Sequence, residues 1–540
     1  MIRTFIRTAI ATLVATSVGS TAWSAPAAMS KADATRLLEQ GTFGPTDALV
    51  AHAQSIGAQA WLAEQFAAPE SQYPQFPYAP PGAQTFCAAS TNPNCLRDNY
   101  SLFLLQNAFF RNALNNPDQL RQRVAFALSQ ILVTSGVVVN VPYGMARYQQ
   151  TLLDGAFGNY QDLLTRVTLS PVMGDYLNMV DNDKSNGTVN PNENYAREIL
   201  QLFSIGVWEL NADGTQKLDA NGAPIPTYPQ ALIDGYATLF TGWTYPPLPG
   251  AVSRNHNPKY FGADMVGVPA DHDFGVKILL QSVVDTPGKT MPNDLAFGIQ
   301  SIAQHPNVGP FIGKQLIQKL VTGNPSPAYV ARVSAVFDDD GTGTKGNLKA
   351  VVQAILLDPE ARGDSKTDAA YGKLREPVLY ITGAARAVGA ASDGVFLAQQ
   401  SKKLGQDVFN APSVFNFYPP TYLVPQTTVL GPEFAIENAA AAIDRYNFAN
   451  ALAFGNIAAL STLPGATGTQ PSWTALQSLA SDPSALVAEL NSLLMHGTMP
   501  PAMQSTLVAA IAAVPASDPL TRARTGFYLT VSSPQYQVER

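Results

Sequence analysis

Charged residues are scarce in this sequence, because only 14% of its 540 residues are Asp, Glu, Lys or Arg, whereas 46% are hydrophobic. The formal net charge is -7 at pH 7, so the chain as a whole offers no basic field of the kind that attracts polyanions. We therefore expect no nucleic-acid partner. The length suits roughly three or four domains, or one large helical domain with insertions.

Long apolar runs are also lacking after the N-terminus, so we expect no transmembrane segment in the mature chain. At the start, Arg3 and Arg7 flank a short apolar stretch, and "TAWSAPA" offers small residues for cleavage between Ser24 and Ala27. This pattern predicts a secretory signal peptide over residues 1–25 and export to the periplasm or beyond. An uncleaved N-terminal anchor is the alternative interpretation.

Cysteine is limited to Cys87 and Cys95, which lie eight positions apart in "CAASTNPNC". In an oxidising compartment these two thiols should form a disulfide that fixes a surface loop. A catalytic dithiol would normally show the tighter C-x-x-C spacing.

Apolar residues recur at spacings of three and four along most of the chain, which predicts α-helices. We expect a mainly α fold: one large all-α globular domain over residues 30–540, with long loops. Residues 32–66 predict two helices, broken at Gly41 to Pro45, the second capped by Thr46. Residues 209–228 differ, because Asp-Gly and Asn-Gly turn signals there predict a small β-hairpin insertion.

The segment "NPNENYAREILQLFSIG" (190–206) places charges on a helix whose other faces are apolar. Asn190 and Glu193 fit the two ends of a capping box, and Arg197 lies four residues after Glu193. Glu198 lies nearer the apolar faces. Because an isolated buried charge is costly, Glu198 requires a partner or a bound ion.

The segment "ADHDFGVK" supplies the nearest chemical match for such a partner, since it crowds Asp271, His272, Asp273 and Lys277 into eight residues. We expect Arg197 and Glu198 to meet this segment in one polar cluster. A buried ion-pair network is one interpretation, and a catalytic or metal site is the other. The candidate catalytic residues are Glu193, Arg197, Glu198, His272, Asp273 and Lys277.

Asp181, Asp183 and Ser185 alternate in "MVDNDKSNGT" as ligands do in a calcium loop. Gly187 falls one position late for that motif, and Asn192 stands where a bidentate Glu is needed. These three residues are candidate metal ligands, with a solvated turn as the alternative.

Cofactor signatures are missing from the sequence. Gly341, Gly343 and Gly346 have G-x-G-x-x-G spacing, but a helical segment precedes them and three Asp residues would repel a pyrophosphate. We interpret this segment as a loop between helices. No nucleotide, haem or flavin signature is present, and the cofactor content stays open.

Aromatic side chains are concentrated between prolines in "LGQDVFNAPSVFNFYPP" (404–420), which contains Phe409, Phe415, Phe417 and Tyr418. Such a loop can present a platform to a glycan or polymer. The alternative is that the loop wraps the domain and buries these rings in the core.

Several segments together resemble one family, the domain of unknown function 1800 family. They include "NPNENYAREILQLFSIGVWELN", "HDFGVKIL", "HPNVGPFIGKQLIQKLV", "KLREPVLYITGAARAVG" and "LGQDVFNAPSVFNFYPP", in that order over nearly the whole mature chain. The resemblance implies an exported bacterial protein, often encoded beside a secreted sulfatase-like family. It implies no particular activity.

Two functions remain open from the sequence. The first is a secreted or periplasmic binding or assembly factor, with a sulfatase-like companion protein or an extracellular polymer as its partner. The second is a metal-dependent or acid/base hydrolase acting on an extracellular polymer, whose site joins Glu193, Arg197 and Glu198 to His272 and Asp273.

Overall fold

The computed structural model describes residues 29–364 and 366–540, which form 24 α-helices joined by long loops. Only strands of two residues accompany these helices. The mainly α fold expected from the sequence is therefore confirmed. The predicted signal peptide, residues 1–25, lies outside the described residues.

Local sequence signals explain where the early helices begin. The Ser30 side chain accepts a hydrogen bond from the Asp33 amide and caps α1, and Thr46 caps α2 as predicted by accepting from the Leu49 amide. Gly57, with φ +80°, ends α2 and separates it from α3, so residues 32–66 hold three helices where two were predicted. The helices of this half are α1 (Lys31–Gly41), α2 (Asp47–Ile56), α3 (Ala58–Ala67), α4 (Ala83–Ala88), α5 (Cys95–Asn99), α6 (Phe103–Asn115), α7 (Gln119–Ser129), α8 (Pro142–Gly155), α9 (Tyr160–Thr168), α10 (Pro171–Tyr176) and α11 (Asn194–Gln201).

Proline opens many of the later helices, where its missing N–H costs nothing and its fixed φ suits the first turn. These helices are α12 (Gln230–Leu239), α13 (Met291–Ala303), α14 (Val308–Leu320), α15 (Pro327–Asp338), α16 (Leu348–Leu357), α17 (Pro377–Ala387), α18 (Val395–Lys403), α19 (Ala439–Phe454), α20 (Thr474–Leu479), α21 (Pro483–Met495), α22 (Pro501–Ala512), α23 (Pro519–Val531) and α24 (Pro534–Gln537). The glycine-rich segment 341–346 lies between α15 and α16, as predicted. Two 3₁₀ helices cover Leu280–Ser282 and Pro432–Ile436.

The strands form four antiparallel pairs, of which β5–β8 and β6–β7 join distant parts of the chain: β1 (Trp243–Thr244) with β2 (Val266–Gly267), β3 (Lys277–Ile278) with β4 (Val284–Asp285), β5 (Lys373–Leu374) with β8 (Val538–Glu539), and β6 (Ala391–Ser392) with β7 (Thr469–Gln470). In the predicted hairpin region, isolated bridges pair Leu210 with Gln216 and Leu218 with Pro224. The segment therefore turns twice, once at each Gly-containing turn signal.

Helix α7 lies near the centre, where it packs against α1, α3, α8 and α14. Its Leu120, Val124 and Leu128 have no exposed surface. Buried hydrophobic residues from Ala34 to Tyr536 form one contiguous cluster, so helices from both ends of the chain share a core.

Cys87 and Cys95 form the predicted disulfide, with their Cα atoms 5.5 Å apart. The bond ties the end of α4 to the start of α5. Among the described residues, no helix has both the length and the apolar character needed to span a membrane.

Candidate functional site

Helix α11 carries three of the predicted site residues but begins later than predicted. Its first residue is Asn194, and Glu193 occupies the N-cap position without a capping hydrogen bond from its side chain, so the predicted capping box between Asn190 and Glu193 is wrong. The Asn192 amide donates to Oδ1 of Asn182 at 2.8 Å, and Nδ2 of Asn182 donates back to the Asn192 carbonyl at 3.3 Å. These bonds hold the preceding residues outside the helix.

Arg197 has nearby partners of its own. Its Nη2 lies 2.8 Å from Oε2 of Glu193, and both side chains are 41% exposed. The same nitrogen donates to Oε1 of Gln230, the first residue of α12, at 3.3 Å. The charge of Arg197 is therefore balanced near the surface.

Glu198 is the less easily explained charge. Its Oε2 atom is buried and has no hydrogen-bond partner among the described residues. Burial raises the pKa of Glu198, and the neighbouring Arg197 charge only partly opposes that shift. Tyr195, Ile199 and Leu200 beside it are buried, as the apolar pattern of this segment predicted.

His272 and Lys277 are buried around a residue that the sequence did not point to, Asp294. Nε2 of His272 lies 3.1 Å from Oδ2 of Asp294, and its Nδ1 lies 2.8 Å from the Thr241 carbonyl. Lys277 donates to the same Asp294 oxygen at 3.1 Å. Asp273 instead accepts a hydrogen bond from the Gly275 amide within its own loop.

The six candidates thus fall into two sets. No hydrogen bond or ion pair in the described ranges joins Arg197 or Glu198 to His272 or Asp273, contrary to the predicted single cluster. Helix α12 contacts both α11 and β3, and its Asp234 lines a recess of about 590 Å³ together with Lys277. The physical reason is that Arg197 and His272 each have a nearer partner than the one predicted, Glu193 and Asp294.

Of the three candidate calcium ligands, only Asp183 meets other metal-binding side chains. Its carboxylate, the imidazole of His256 and the carboxylate of Asp271 bring ligand atoms within 4.8 Å of one another. Asp181 instead accepts a hydrogen bond from the Thr244 hydroxyl at 2.6 Å, and Ser185 donates to Asn190 at 3.3 Å.

The aromatic loop 404–420 mainly fills the core. Tyr418 is 2% exposed and Phe409 is 7% exposed, whereas Phe415 remains 48% exposed. The Tyr418 hydroxyl donates to Oε2 of Glu376 at 2.7 Å, and Nε2 of Gln406 donates to the same oxygen at 2.6 Å. The loop therefore supplies buried partners for the residue that precedes α17.

Glu376 belongs to a buried group of charges that we call the Glu376 network, comprising Glu376, Glu433, Arg123, Lys319 and Lys373. Burial by itself raises the pKa of Glu376, but Lys373, Arg123 and Lys319 together lower it below its ordinary value. Burial lowers the pKa of Lys319 to about 8. Both carboxylate oxygens of Glu433 are buried without a hydrogen-bond partner among the described residues, 3.8 Å from Lys373 at the closest.

A second buried group, the Glu39 network, contains Glu39, Arg375, Glu539 and His496. Nη2 of Arg375 donates to Oε1 of Glu39 at 2.7 Å, and Nε2 of His496 contacts the other Glu39 oxygen. Burial raises the pKa of Glu39 to about 8 even though Arg375 opposes the shift. Burial, Arg36 and Arg375 lower the pKa of His496 well below its ordinary value.

A cleft of about 900 Å³ lies beside the short sheet of β5 and β8, next to both networks. Lys373 of the Glu376 network lines it directly. Its charged lining residues are Lys366, Lys373 and Arg540, with Asp364 as the one carboxylate among them.

The charged residues that line this cleft are mostly cationic. Burial, then the charges of Arg36 and Arg362, lower the pKa of Lys366 to about 8. Arg36 is itself buried, and its guanidinium donates to the Arg540 carbonyl oxygen at 3.2 Å. Cations therefore stand both in the lining of the cleft and directly behind it.

Sequence reasoning missed Glu376, Lys373 and Arg540, although the first two lie in the quoted segment "KLREPVLY". The available signal was that Lys373 and Glu376, a basic and an acidic residue three positions apart, directly precede an apolar helical segment. His256 gave no local signal, because its partners are about 73 and 15 residues away in sequence and are reached only through the fold.

The comparisons with known proteins agree with the family resemblance of the sequence. A family model described as "Protein of unknown function (DUF1800)" matches residues 36–538. No curated protein and no solved structure matches the chain. The match covers the helices from α1 to the last strand, and the chain belongs to the DUF1800 family.

Proposed function

We propose that this protein is an exported binding protein whose cleft beside β5 and β8 holds an anionic segment of an extracellular polymer. The observation that carries the proposal is the charge of the cleft, whose lining includes the cations Lys366 and Arg540, the buried Lys373 in its wall, and one carboxylate, Asp364. A volume of about 900 Å³ suits a small ligand or one end of a polymer chain.

The positive charge of the cleft is local and built into the fold. The chain as a whole carries a net charge of -7, so this cleft is an exception to the overall acidic balance. Lys373 is held by a hydrogen bond of 2.8 Å from its Nζ to the Lys319 carbonyl. Its side chain is fully buried and its Nζ lies 3.8 Å from Glu433, so Lys373 contributes to the wall of the cleft and leaves direct contact with an anion to Lys366 and Arg540.

The walls of the cleft also supply apolar contact. Leu430, Phe434 and Met495 line it together with the charged residues, so a ligand with both an apolar face and acidic groups would fit its chemistry. Acidic sugars have that combination, because a pyranose ring has an apolar face. An acidic polysaccharide is therefore the ligand class that we infer.

Export and a sulfatase-like companion belong to the same proposal. The N-terminal signal pattern and the disulfide suit an oxidising compartment outside the cytoplasm, where such polymers occur. We propose that the protein binds an acidic polymer on which a sulfatase-like companion acts.

The second candidate, an acid/base hydrolase built from Glu193, Arg197, Glu198, His272 and Asp273, has less support. Arg197 pairs with Glu193 near the surface, and His272 is enclosed against Asp294. General acid–base catalysis needs its groups within hydrogen-bond reach of one substrate, and these contacts engage Arg197 and His272 with other partners.

Binding can be tested by calorimetric titration of the full mature chain with three polymers of matched length: dextran sulfate, polygalacturonate and neutral dextran. We expect the two anionic polymers to bind and the binding to weaken as salt rises, because screening weakens exposed charge pairs. Binding of neutral dextran with equal affinity would overturn the proposal.

The matched variants are K366A/R540A and K402A/R147A. Each pair removes two positive charges, but Lys402 and Arg147 do not line the cleft. We expect at least about tenfold weaker binding for the first pair, since each charge-assisted hydrogen bond contributes about 1.5 kcal/mol or more. Equal weakening in both pairs would indicate nonspecific attraction and would reject the cleft as the site.

A further inference from the structure

Three loops that are distant in sequence converge on one point at the surface. Asp183 comes from the loop after α10, His256 from the long loop after β1, and Asp271 from the loop after β2. Nε2 of His256 lies 3.0 Å from Oδ1 of Asp183. This spacing fits adjacent ligands of an octahedral ion, which lie about 3.0 Å apart when the metal–ligand bonds are about 2.1 Å long.

Buried backbone and side-chain contacts fix the relative positions of these loops. The Lys184 amide donates to the Asp271 carbonyl at 2.8 Å and joins the first loop to the third. Thr244 is only 1% exposed. Its hydroxyl donates a hydrogen bond of 2.6 Å to Asp181 and accepts one of 3.0 Å from the backbone amide of Asn257. Thr244 thus links Asp181, two residues before Asp183, to Asn257, the residue after His256.

The carboxylates of this cluster are not neutralised by a Lys or Arg side chain of the described residues. Within residues 29–364 and 366–540, neither Asp183 nor Asp271 forms an ion pair with a Lys or Arg side chain. Oδ2 of Asp271 is buried without a hydrogen-bond partner in the same ranges. A buried carboxylate oxygen without a donor is costly, and a bound cation would remove that cost.

We propose that Asp183, His256 and Asp271 bind one divalent first-row transition ion, Zn²⁺ or Mn²⁺. The donor set is one imidazole nitrogen and two carboxylates without a thiolate, which suits these ions better than Ca²⁺, whose ligands are oxygens. The side chains of His256 and Asp183 are 52% and 47% exposed, so an ion can enter from solvent and keep water ligands.

The test uses the full mature chain, freed of metal with EDTA and then titrated separately with ZnCl₂ and MnCl₂ in a calorimeter. We expect one saturable site for at least one of these ions. H256A removes a direct ligand, and D183N and D271N each remove the negative charge of one, so each variant should weaken binding by at least about tenfold. Circular dichroism of each variant checks that it remains folded.

The control variant is H52A. His52 is also a surface histidine beside a carboxylate, with Nε2 2.6 Å from Oε2 of Glu64 and side chains 45% and 53% exposed, but this pair is not part of a three-residue cluster. H52A should bind the ion like the wild type. The proposal fails if neither ion binds, or if H256A and H52A change the affinity equally. If D271N does not fold, H256A and D183N decide the outcome.

Discussion

Tyr418 and Glu376 meet inside the protein, where the Tyr418 hydroxyl donates a hydrogen bond of 2.7 Å to Oε2 of Glu376. Both residues are almost fully buried. The contact joins the aromatic loop 404–420 to the start of α17. It also places Glu376 among the positive charges of Arg123, Lys319 and Lys373.

The E376Q substitution should destabilise the protein by about 3–5 kcal/mol, because it leaves these buried cations with less compensating charge. Urea unfolding followed by circular dichroism measures the change. E193Q is the matched control, since Glu193 is 41% exposed and should cost far less. A loss of less than about 1 kcal/mol in E376Q would contradict this role.

The buried charges around Glu376 predict that its contribution to the free energy of unfolding depends on pH. The pKa of Glu376 is lowered in the folded state, so its stabilising effect is present above its ordinary value of 4.5 and is lost as the pH falls through the lowered value. The stability difference between wild type and E376Q should therefore shrink in acid. A difference that is constant across acidic pH would contradict this assignment.

Arg197 should contribute little to stability. Its pair with Glu193 is an exposed i,i+4 contact, for which about 0.3–0.5 kcal/mol is typical. We expect R197A to lower the free energy of unfolding by about that amount in a urea titration. A loss above about 2 kcal/mol would indicate a buried partner for Arg197 after all.

For Glu198 we expect a pH dependence of stability opposite to that of Glu376. Burial raises its pKa in the folded state, so the stability that its proton contributes is present below its ordinary pKa and is lost as pH rises through the raised value. E198Q cannot ionise and should gain stability relative to wild type as the pH rises from the ordinary pKa of 4.5 through the raised value. Thermal unfolding of both proteins across this range measures the gain. E198Q less stable than wild type at neutral pH would refute it.

The disulfide should stabilise the protein only modestly. Cys87 and Cys95 close a loop with a sequence separation of 8, for which chain entropy gives about 2–3 kcal/mol at most. We expect C87A/C95A to remain folded, with a lower urea midpoint. Iodoacetamide should not label the untreated wild type and should label it after reduction. Labelling of both cysteines without reduction would show that the bond is absent from the protein.

Export stays a prediction from the sequence. Cleavage between Ser24 and Ala27 should give a mature chain whose intact mass lacks the first 24 to 26 residues. Mass spectrometry of the periplasmic and secreted fractions checks this. A membrane-bound product that retains residues 1–24 would support the anchor interpretation instead.

The sequence by itself determined the helices, the break before Thr46, the two turns within 209–228 and the Cys87–Cys95 pair. These features depend on short-range effects: apolar periodicity, caps, turn residues and a small loop that closes on itself. The apolar faces of α11 also followed from spacing alone. The start of α11 did not, because contacts with Asn182, outside the helix, displaced it.

Only the tertiary structure decided which charges meet. Arg197 pairs with Glu193 and not with the 271–273 segment, and His272 pairs with Asp294. Asp183 meets His256. Lys373 lies on β5, which pairs with β8, and its side chain joins the buried charges. A Coulomb or hydrogen-bond partner is selected by distance in space, after the helices have packed. The i,i+4 pair of Glu193 and Arg197 was readable from the sequence, because helical neighbours lie close together. Separation along the chain carries little information about larger distances, so the long-range pairings were not readable.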